Sequence, residues 1–183
     1  MKIFLIILGC LVGLIILWVL FALLADKNAA KFARKIKPLQ EWIRIDRFMG
    51  IRLLDDWEDT LSRMHHLGLI TLNDLEEQKL AYQGCTKDIF TFTTTINDLR
   101  NIDHITFNIY KGKLSCIGIT LKVDNGMDID DFKRFLYAEY SKSFGKPTRV
   151  MVGYVFGEID GPHLVMSTDY DSITIGIPKR YIG

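Results

Sequence analysis

The chain has 183 residues, of which 25% are charged, and a formal net charge of +1 at pH 7. This total hides a split, because residues 1–49 carry 8 basic against 3 acidic residues and residues 50–183 carry 15 against 19. The net charge of −4 in the second part disfavours nucleic acid binding, which needs a basic stripe for phosphate contacts.

The first element is an apolar run from residue 3 to residue 25 that contains no charged residue, Pro, Asn or Gln. As a helix rising about 1.5 Å per residue it would cross a hydrocarbon core of about 30 Å. A cleaved signal peptide would have a shorter apolar region, and a chain lipid-modified at Cys10 would turn polar soon after that cysteine. We therefore expect a transmembrane helix at residues 3–25, which makes the chain a single-pass protein of a cell membrane with the lipid bilayer as a partner.

Two glycines in this run, Gly9 and Gly13, have the spacing that lets two membrane helices approach closely. This spacing would allow a homodimer through the transmembrane helix. The alternative is that the two glycines are ordinary residues of a lipid-facing helix.

Residues 26–49 form a basic amphipathic juxtamembrane segment. Five basic residues follow the apolar run closely, while only Lys2 and the terminal amine precede it: Lys27, Lys31, Arg34, Lys35 and Lys37. The positive-inside rule therefore favours a cytoplasmic domain. A periplasmic or extracellular domain stays open, because exported domains also follow anchors with a short basic N-terminal tail.

Residues 50–183 are expected to form one α+β domain, since about 134 residues suffice for a single core. Its first part is helical, with apolar residues at three- and four-residue steps that predict a helix over residues 51–67. A shorter helix follows Gly68, capped by Thr71 or Asn73, and runs to Tyr82. The apolar positions of the first helix are Leu54, Trp57, Leu61 and Met64.

From residue 88 onward, apolar residues alternate with polar ones, which is typical of strands. A tight turn at Lys111-Gly112 predicts a hairpin, and a helix capped by Asp128 or Asp130 runs to Phe144. Three further strands are expected near residues 148–156, 163–168 and 172–177. The order predicts one antiparallel sheet of about five or six strands with helices on one face.

Known catalytic and metal-binding patterns are missing, so we predict no catalytic residue, no metal and no cofactor. His65 and His66 would point about 100° apart on a helix and cannot chelate one ion from one face. Helix capping explains the aspartates near residue 128 better than a calcium loop, in which Ile129 would replace the required glycine. Cys85 and Cys116 have no Cys-x-x-Cys partner and are either two thiols or one disulfide.

Binding of a protein partner fits the sequence better than catalysis does. Tyr154, Tyr170 and Tyr181 are candidate anchors for a protein partner, and the acidic balance suits a basic one. The layout, with a hairpin at 110–114 and a helix closing in Phe144-Gly145-Lys146-Pro147, is similar to small bacterial proteins, among them immunity proteins that neutralise secreted toxins. This resemblance implies a protein as the partner.

We therefore expect a membrane-anchored, non-catalytic protein-binding domain, of which an immunity or inhibitor-type protein is one form. The alternative is a small membrane-bound enzyme or lipid-handling domain whose site residues are distant in sequence. A concave site near His65, His104 or His163 would favour this alternative.

Overall fold

The computed structural model describes residues 14–20, 41–95, 101–123 and 128–182. The chain divides into two compact units, Met1–Lys37 and Pro38–Gly183. In the first unit, residues 14–20 are helical and expose their apolar side chains. None of the helices in these described ranges combines the length and the apolar character needed to cross a membrane. Gly9, Gly13 and most of the predicted span at 3–25 lie outside the described residues, as do residues 26–40 of the basic segment.

In the described part of the second unit, two helical residues, 41–42, precede a small antiparallel sheet of three two-residue strands: β1 (Ile43–Arg44), β2 (Arg47–Phe48) and β3 (Ile51–Arg52). The sequence predicts an α+β domain that starts at residue 50, and this sheet is part of a compact unit that starts at Pro38. The sheet belongs to the core, because Ile43, Phe48 and Ile51 are fully buried.

Three helices follow in chain order: α1 (Trp57–His66), α2 (Leu72–Gln83) and α3 (Ile129–Phe144). α1 begins later than residue 51, because β3 occupies residues 51–52 and Leu54 has a φ of 71°, which is incompatible with a right-handed helix. Thr71 caps α2, and the Asp128 carboxylate caps α3 by accepting hydrogen bonds from the N–H groups of Asp130 and Asp131.

The main sheet of the described residues has seven strands in the order β4-β5-β6-β10-β9-β8-β7, and all neighbours are antiparallel. A short 3-10 helix, Lys179–Tyr181, follows the last strand. The strands are β4 (Ile89–Thr95), β5 (Ile102–Tyr110), β6 (Lys113–Leu121), β7 (Thr148–Val150), β8 (Gly153–Gly157), β9 (His163–Ser167) and β10 (Ser172–Gly176).

The expected number of five or six strands was too low, because the run predicted as one strand at 148–156 is a hairpin. Met151 and Val152 form its turn, and Gly153 follows with a φ of 154°. A Cβ on Gly153 would overlap the backbone carbonyl oxygen of Met166 on the neighbouring strand. This hairpin therefore depends on a glycine at that position.

All three helices lie against one face of the main sheet. Residues directly opposite each other on neighbouring strands point to the same face, and one such row runs from Phe92 through Phe107 to Phe156. Trp57 of α1 contacts Phe90 beside one end of this row at 5.4 Å between ring centroids. Tyr140 of α3 contacts Phe156 at the other end at 5.9 Å.

The opposite face of the main sheet, called the open face below, is rich in hydroxyl and amide side chains. Neighbouring strands are linked there by hydrogen bonds between side chains: Thr91 to Asn108 (2.8 Å), Thr93 to Thr106 (3.0 Å) and Thr120 to His104 (2.9 Å). One packed face and one polar face are typical of an antiparallel sheet in an α+β domain.

Candidate functional site

One end of the main sheet carries a cluster of apolar and aromatic side chains, called the end patch below: the exposed Met151, Val152 and Tyr170 and the half-buried Tyr154. Met151 is 96% exposed, Val152 54% and Tyr170 72%. Val152 lies in the β7–β8 turn and Tyr170 in the β9–β10 loop. These segments are neighbours, because the Thr168 N–H donates a hydrogen bond of 3.2 Å to the Val152 carbonyl.

Lys133 of α3 holds the β9–β10 loop in place. Its ammonium donates hydrogen bonds to the backbone carbonyls of Thr168 (3.2 Å) and Tyr170 (3.3 Å) and lies 3.5 Å from the Asp171 carboxylate. From the other side, the Ser167 hydroxyl oxygen accepts hydrogen bonds from the N–H groups of Asp169 and Tyr170. Tyr170 is therefore an exposed side chain on an ordered loop.

A cavity of about 310 Å³ lies beside the end patch, between α3 and strands β8 and β9. Two tyrosine rings form one wall, since Tyr137 and Tyr154 meet edge to face at 4.7 Å between centroids. The cavity is lined by Asp130, Lys133, Arg134, Tyr137, Tyr154, Met166, Ser167 and Thr168. An aromatic wall beside exposed apolar side chains can accept an apolar or aromatic side chain from a partner.

The ion pairs near this end leave two carboxylates without a cationic partner. Lys133 pairs with Asp171, and Arg134 lies 3.3 Å from Asp131. Among the described residues, no cation pairs with Asp130 or Asp169. These two carboxylates favour a partner that brings positive charge to the rim of the end patch.

The structure separates the three tyrosines that the sequence grouped as partner-binding candidates. Tyr154 and Tyr170 lie at the end patch, whereas Tyr181 follows β10 at the opposite end of the sheet. Arg180 stacks over the Tyr181 ring there and pairs with Asp160. Sequence reasoning missed Met151 and Val152, although an isolated glycine inside a strand pattern, here Gly153, suggests a bulge or a close backbone approach and could have indicated the interruption.

No family model, no curated protein and no solved structure matches the chain. The chemistry of the exposed surfaces is therefore the basis for a functional proposal.

A second concave feature lies on the open face, a groove of about 580 Å³ across strands β5, β6, β10 and β9. Asn108, Cys116, Gly176 and His163 stand opposite one another in register across these four strands. Tyr110 and Lys179 line one wall, and the Lys179 ammonium lies 5.2 Å from the centre of the Tyr110 ring.

The polar groups of this groove do not form an activated nucleophile. Burial raises the pKa of the Cys116 thiol, which outweighs the lowering effect of a hydrogen bond from Asn108, so the reactive thiolate is disfavoured. His163 Nδ1 lies 2.8 Å from the Gly161 carbonyl, which can only accept, so Nδ1 carries the proton. His163 Nε2 then faces Gly176, 3.8 Å from where a Cβ would stand.

The remaining candidates from the sequence lie apart from both features. Cys85 and Cys116 are both free thiols, which decides the alternative left open by the sequence. His65 Nδ1 lies 3.3 Å from the Ile70 carbonyl, and His66 is exposed. No group of three or more His, Cys, Asp or Glu side chains within the described ranges could hold a metal ion.

Proposed function

We propose that this chain is a single-pass membrane protein whose α+β domain binds another protein without catalysing a reaction. Immunity and other inhibitor-type proteins of bacteria, which neutralise a partner by binding it, are the class that fits best. The observation that carries the proposal is the end patch, where Met151, Val152 and Tyr170 are exposed together on two adjoining loops.

The end patch has the properties of a binding surface. Aromatic and methionine side chains supply much of the contact energy in protein interfaces. Lys133 and Ser167 already order the loop that carries Tyr170, so little conformational entropy of this loop is lost on binding. The carboxylates of Asp130 and Asp169 at the rim favour a partner whose contact surface is basic.

The membrane part of the proposal rests on the sequence. Residues 3–25 are long and apolar enough for one membrane helix, and the basic residues that follow favour a domain on the cytoplasmic side. A domain tethered in this way meets its partner at the membrane surface. This suits an inhibitor of a protein that acts on or at the membrane.

Site-specific photocrosslinking in intact cells tests the proposal. In the full chain, a photoreactive amino acid replaces Met151, which is the most exposed of the large apolar residues that the structure describes. We expect an adduct with one discrete protein. The double variant Val152→Asp/Tyr170→Asp, carrying the same probe, is expected to lose at least nine-tenths of this adduct.

The matched control places the same probe at Ile159, which is 52% exposed and lies at the opposite end of the sheet near Tyr181. Little or no adduct is expected there. The same adducts from both positions would show contact without specificity, and no adduct from Met151 would contradict binding through the end patch.

The groove at Cys116 and His163 favours a second candidate, a lipid-handling or enzymatic domain. The groove is a concave site with polar groups near His163, and a site of this kind is what the alternative function was expected to have. Heat denaturation with and without added phospholipid or fatty acid distinguishes the two candidates. Two results together would favour the lipid-handling or enzymatic domain. A lipid would raise the Tm of the natural chain but not that of His163→Ala, and the probe at Met151 would give no protein adduct.

A further inference from the structure

Strand β4 forms one edge of the main sheet, and its sequence is unusual for an edge strand. Ile89-Phe90-Thr91-Phe92-Thr93-Thr94-Thr95 contains no charge, no proline and no glycine. All seven residues pair with β5 in one continuous register, without a bulge. Among the described residues β5 is the only strand paired with β4, so its outer backbone groups have no strand partner.

The opposite edge of the sheet shows how such an edge is normally protected. β7 has three residues, one of which is the exposed Arg149, and a turn follows directly. Proteins block unwanted strand pairing with short, charged or bulged edge strands. β7 has two of these features and β4 has none, so β4 is the edge that is built to accept a strand.

We propose that β4 pairs antiparallel with β4 of a second copy of this chain, about a two-fold axis normal to the sheet at Phe92. In this register Thr91 of one copy faces Thr93 of the other on the open face, and Phe90 faces Thr94 on the helix face. Threonine pairs and aromatic pairs with β-branched residues stabilise antiparallel strands. No charge in β4 meets its own copy, so self-pairing costs no like-charge repulsion.

Two further features favour a second copy. α2 adjoins β4, since Tyr82 contacts Phe90 at 5.6 Å between centroids, and this helix exposes Leu72 and Leu80. A second copy at β4 brings its own α2 to the same side, where these leucines can be covered. Pairing through β4 also uses up the unprotected edge of each copy, so the assembly closes at two chains instead of growing.

The two edges lie on opposite sides of the sheet, so a copy bound at β4 leaves the end patch beside β7 and β8 free. The inference therefore does not rest on the proposed function. The dimer would form one continuous sheet from the seven strands of each copy. It would present two end patches at once.

A charge-swap experiment on the full chain in detergent micelles tests the inference. Thr91→Lys/Thr93→Lys places lysines opposite lysines across the two-fold, and Thr91→Glu/Thr93→Glu places glutamates opposite glutamates. Light scattering corrected for detergent is expected to give twice 21.1 kDa for the natural chain and 21.1 kDa for each double variant. Mixing the two variants places lysine opposite glutamate and is expected to restore the doubled mass.

Three controls make the outcome decisive. Ser172→Lys/Thr174→Lys puts the same charges on the same sheet face but on the central strand β10, and is expected to remain a dimer. Gly9→Ile/Gly13→Ile removes the glycine spacing of the apolar run and is also expected to remain a dimer. Circular dichroism shows whether each variant is folded.

Several results would overturn the inference. These are a natural chain of 21.1 kDa, or a dimer that survives both edge variants but is lost in Gly9→Ile/Gly13→Ile. A monomeric natural chain in which a photoreactive amino acid at Ile89 of β4 forms an adduct with a different protein would show that β4 accepts a strand of that protein instead.

Discussion

At the scale of single residues, Tyr140 is one of the buried side chains whose polar atom has no hydrogen-bond partner in the described part of the chain. It is 1% exposed, packs between Phe144 and Phe156, and its hydroxyl has no hydrogen-bond partner among the described residues. Burial raises the pKa of this phenol strongly. A buried hydroxyl without a partner has lost its hydrogen bonds to water and forms none within the protein, which lowers the free energy of unfolding.

Tyr140→Phe is therefore expected to stabilise the domain by about 1 kcal/mol, or about 2 to 4 °C in Tm for a domain of this size. The natural chain should also lose stability as the pH rises above 10, since the phenol ionises in the unfolded state but stays protonated in the folded one. The variant should lack this alkaline loss. Heat denaturation at pH 7 and pH 10.5 measures both effects.

Tyr170→Phe is the matched control for this prediction, because Tyr170 is 72% exposed and its hydroxyl can remain hydrated. Its Tm is expected to stay within 1 °C of the natural value. A destabilised Tyr140→Phe would mean that the hydroxyl has a partner, with nearby Arg44 as the first candidate.

At the scale of elements, α2 is the helix whose start is best explained by local chemistry. The Thr71 hydroxyl oxygen accepts from the Asp74 N–H at 3.2 Å, and the Asp74 carboxylate accepts from the Thr71 N–H at 2.8 Å. The Thr71 hydroxyl also donates to that carboxylate and thereby lowers the pKa of Asp74. This reciprocal capping box matters because Leu75 is the only buried residue of α2.

Thr71→Ala is expected to destabilise the domain by about 1 kcal/mol, as loss of an N-cap side chain usually does. Asp74→Asn should also destabilise at pH 7, and this difference should vanish as the pH falls. The sign follows from the lowered pKa: the stabilisation is complete above the ordinary pKa near 3.8 and is lost below it. Urea denaturation at pH 7 and pH 2.5 measures both.

Asn73→Ala is the control at the neighbouring exposed position, and it also decides between the two caps that the sequence allowed. Little change is expected, because the hydrogen bonds at the start of α2 involve Thr71 and Asp74. A larger effect from Asn73→Ala than from Thr71→Ala would contradict the capping box.

At the scale of the whole molecule, the two compact units divide near residue 37, next to the only proline between the apolar run and the core strands. Among the described residues the first buried one is Ile43, and the core then extends through both sheets and helices α1 to α3. A unit with its own core is expected to fold independently. The apolar run at residues 3–25 would then serve attachment, not folding.

We predict that residues 38–183 expressed alone are folded and remain in the aqueous fraction, while the full chain sediments with membranes and is released only by detergent. Cys85, a half-buried free thiol, reports the side of the membrane. A membrane-impermeant maleimide should label Cys85 only after the cells are opened. A full chain that stays in the aqueous fraction would contradict the anchor, and labelling in intact cells would contradict the cytoplasmic side.

Features that depend only on neighbouring residues could be predicted from the sequence. The Lys111-Gly112 turn, with φ values of 48° and 81°, the Thr71 and Asp128 caps and the end of α3 before Gly145 were all indicated by local patterns. Such features are set by backbone preferences and short-range hydrogen bonds, which a stretch of a few residues already contains.

The tertiary structure was needed to show which distant segments of the chain are neighbours in space. β6 pairs with β10 across a long stretch of chain, and this pairing brings Cys116 and His163 into one groove. The β7–β8 hairpin needs the tight approach of Gly153 to Met166, and it places Met151 beside the loop of Tyr170 while leaving Tyr181 at the other end. These contacts follow from strand order and packing between distant segments, for which no pattern within one segment carries a signal.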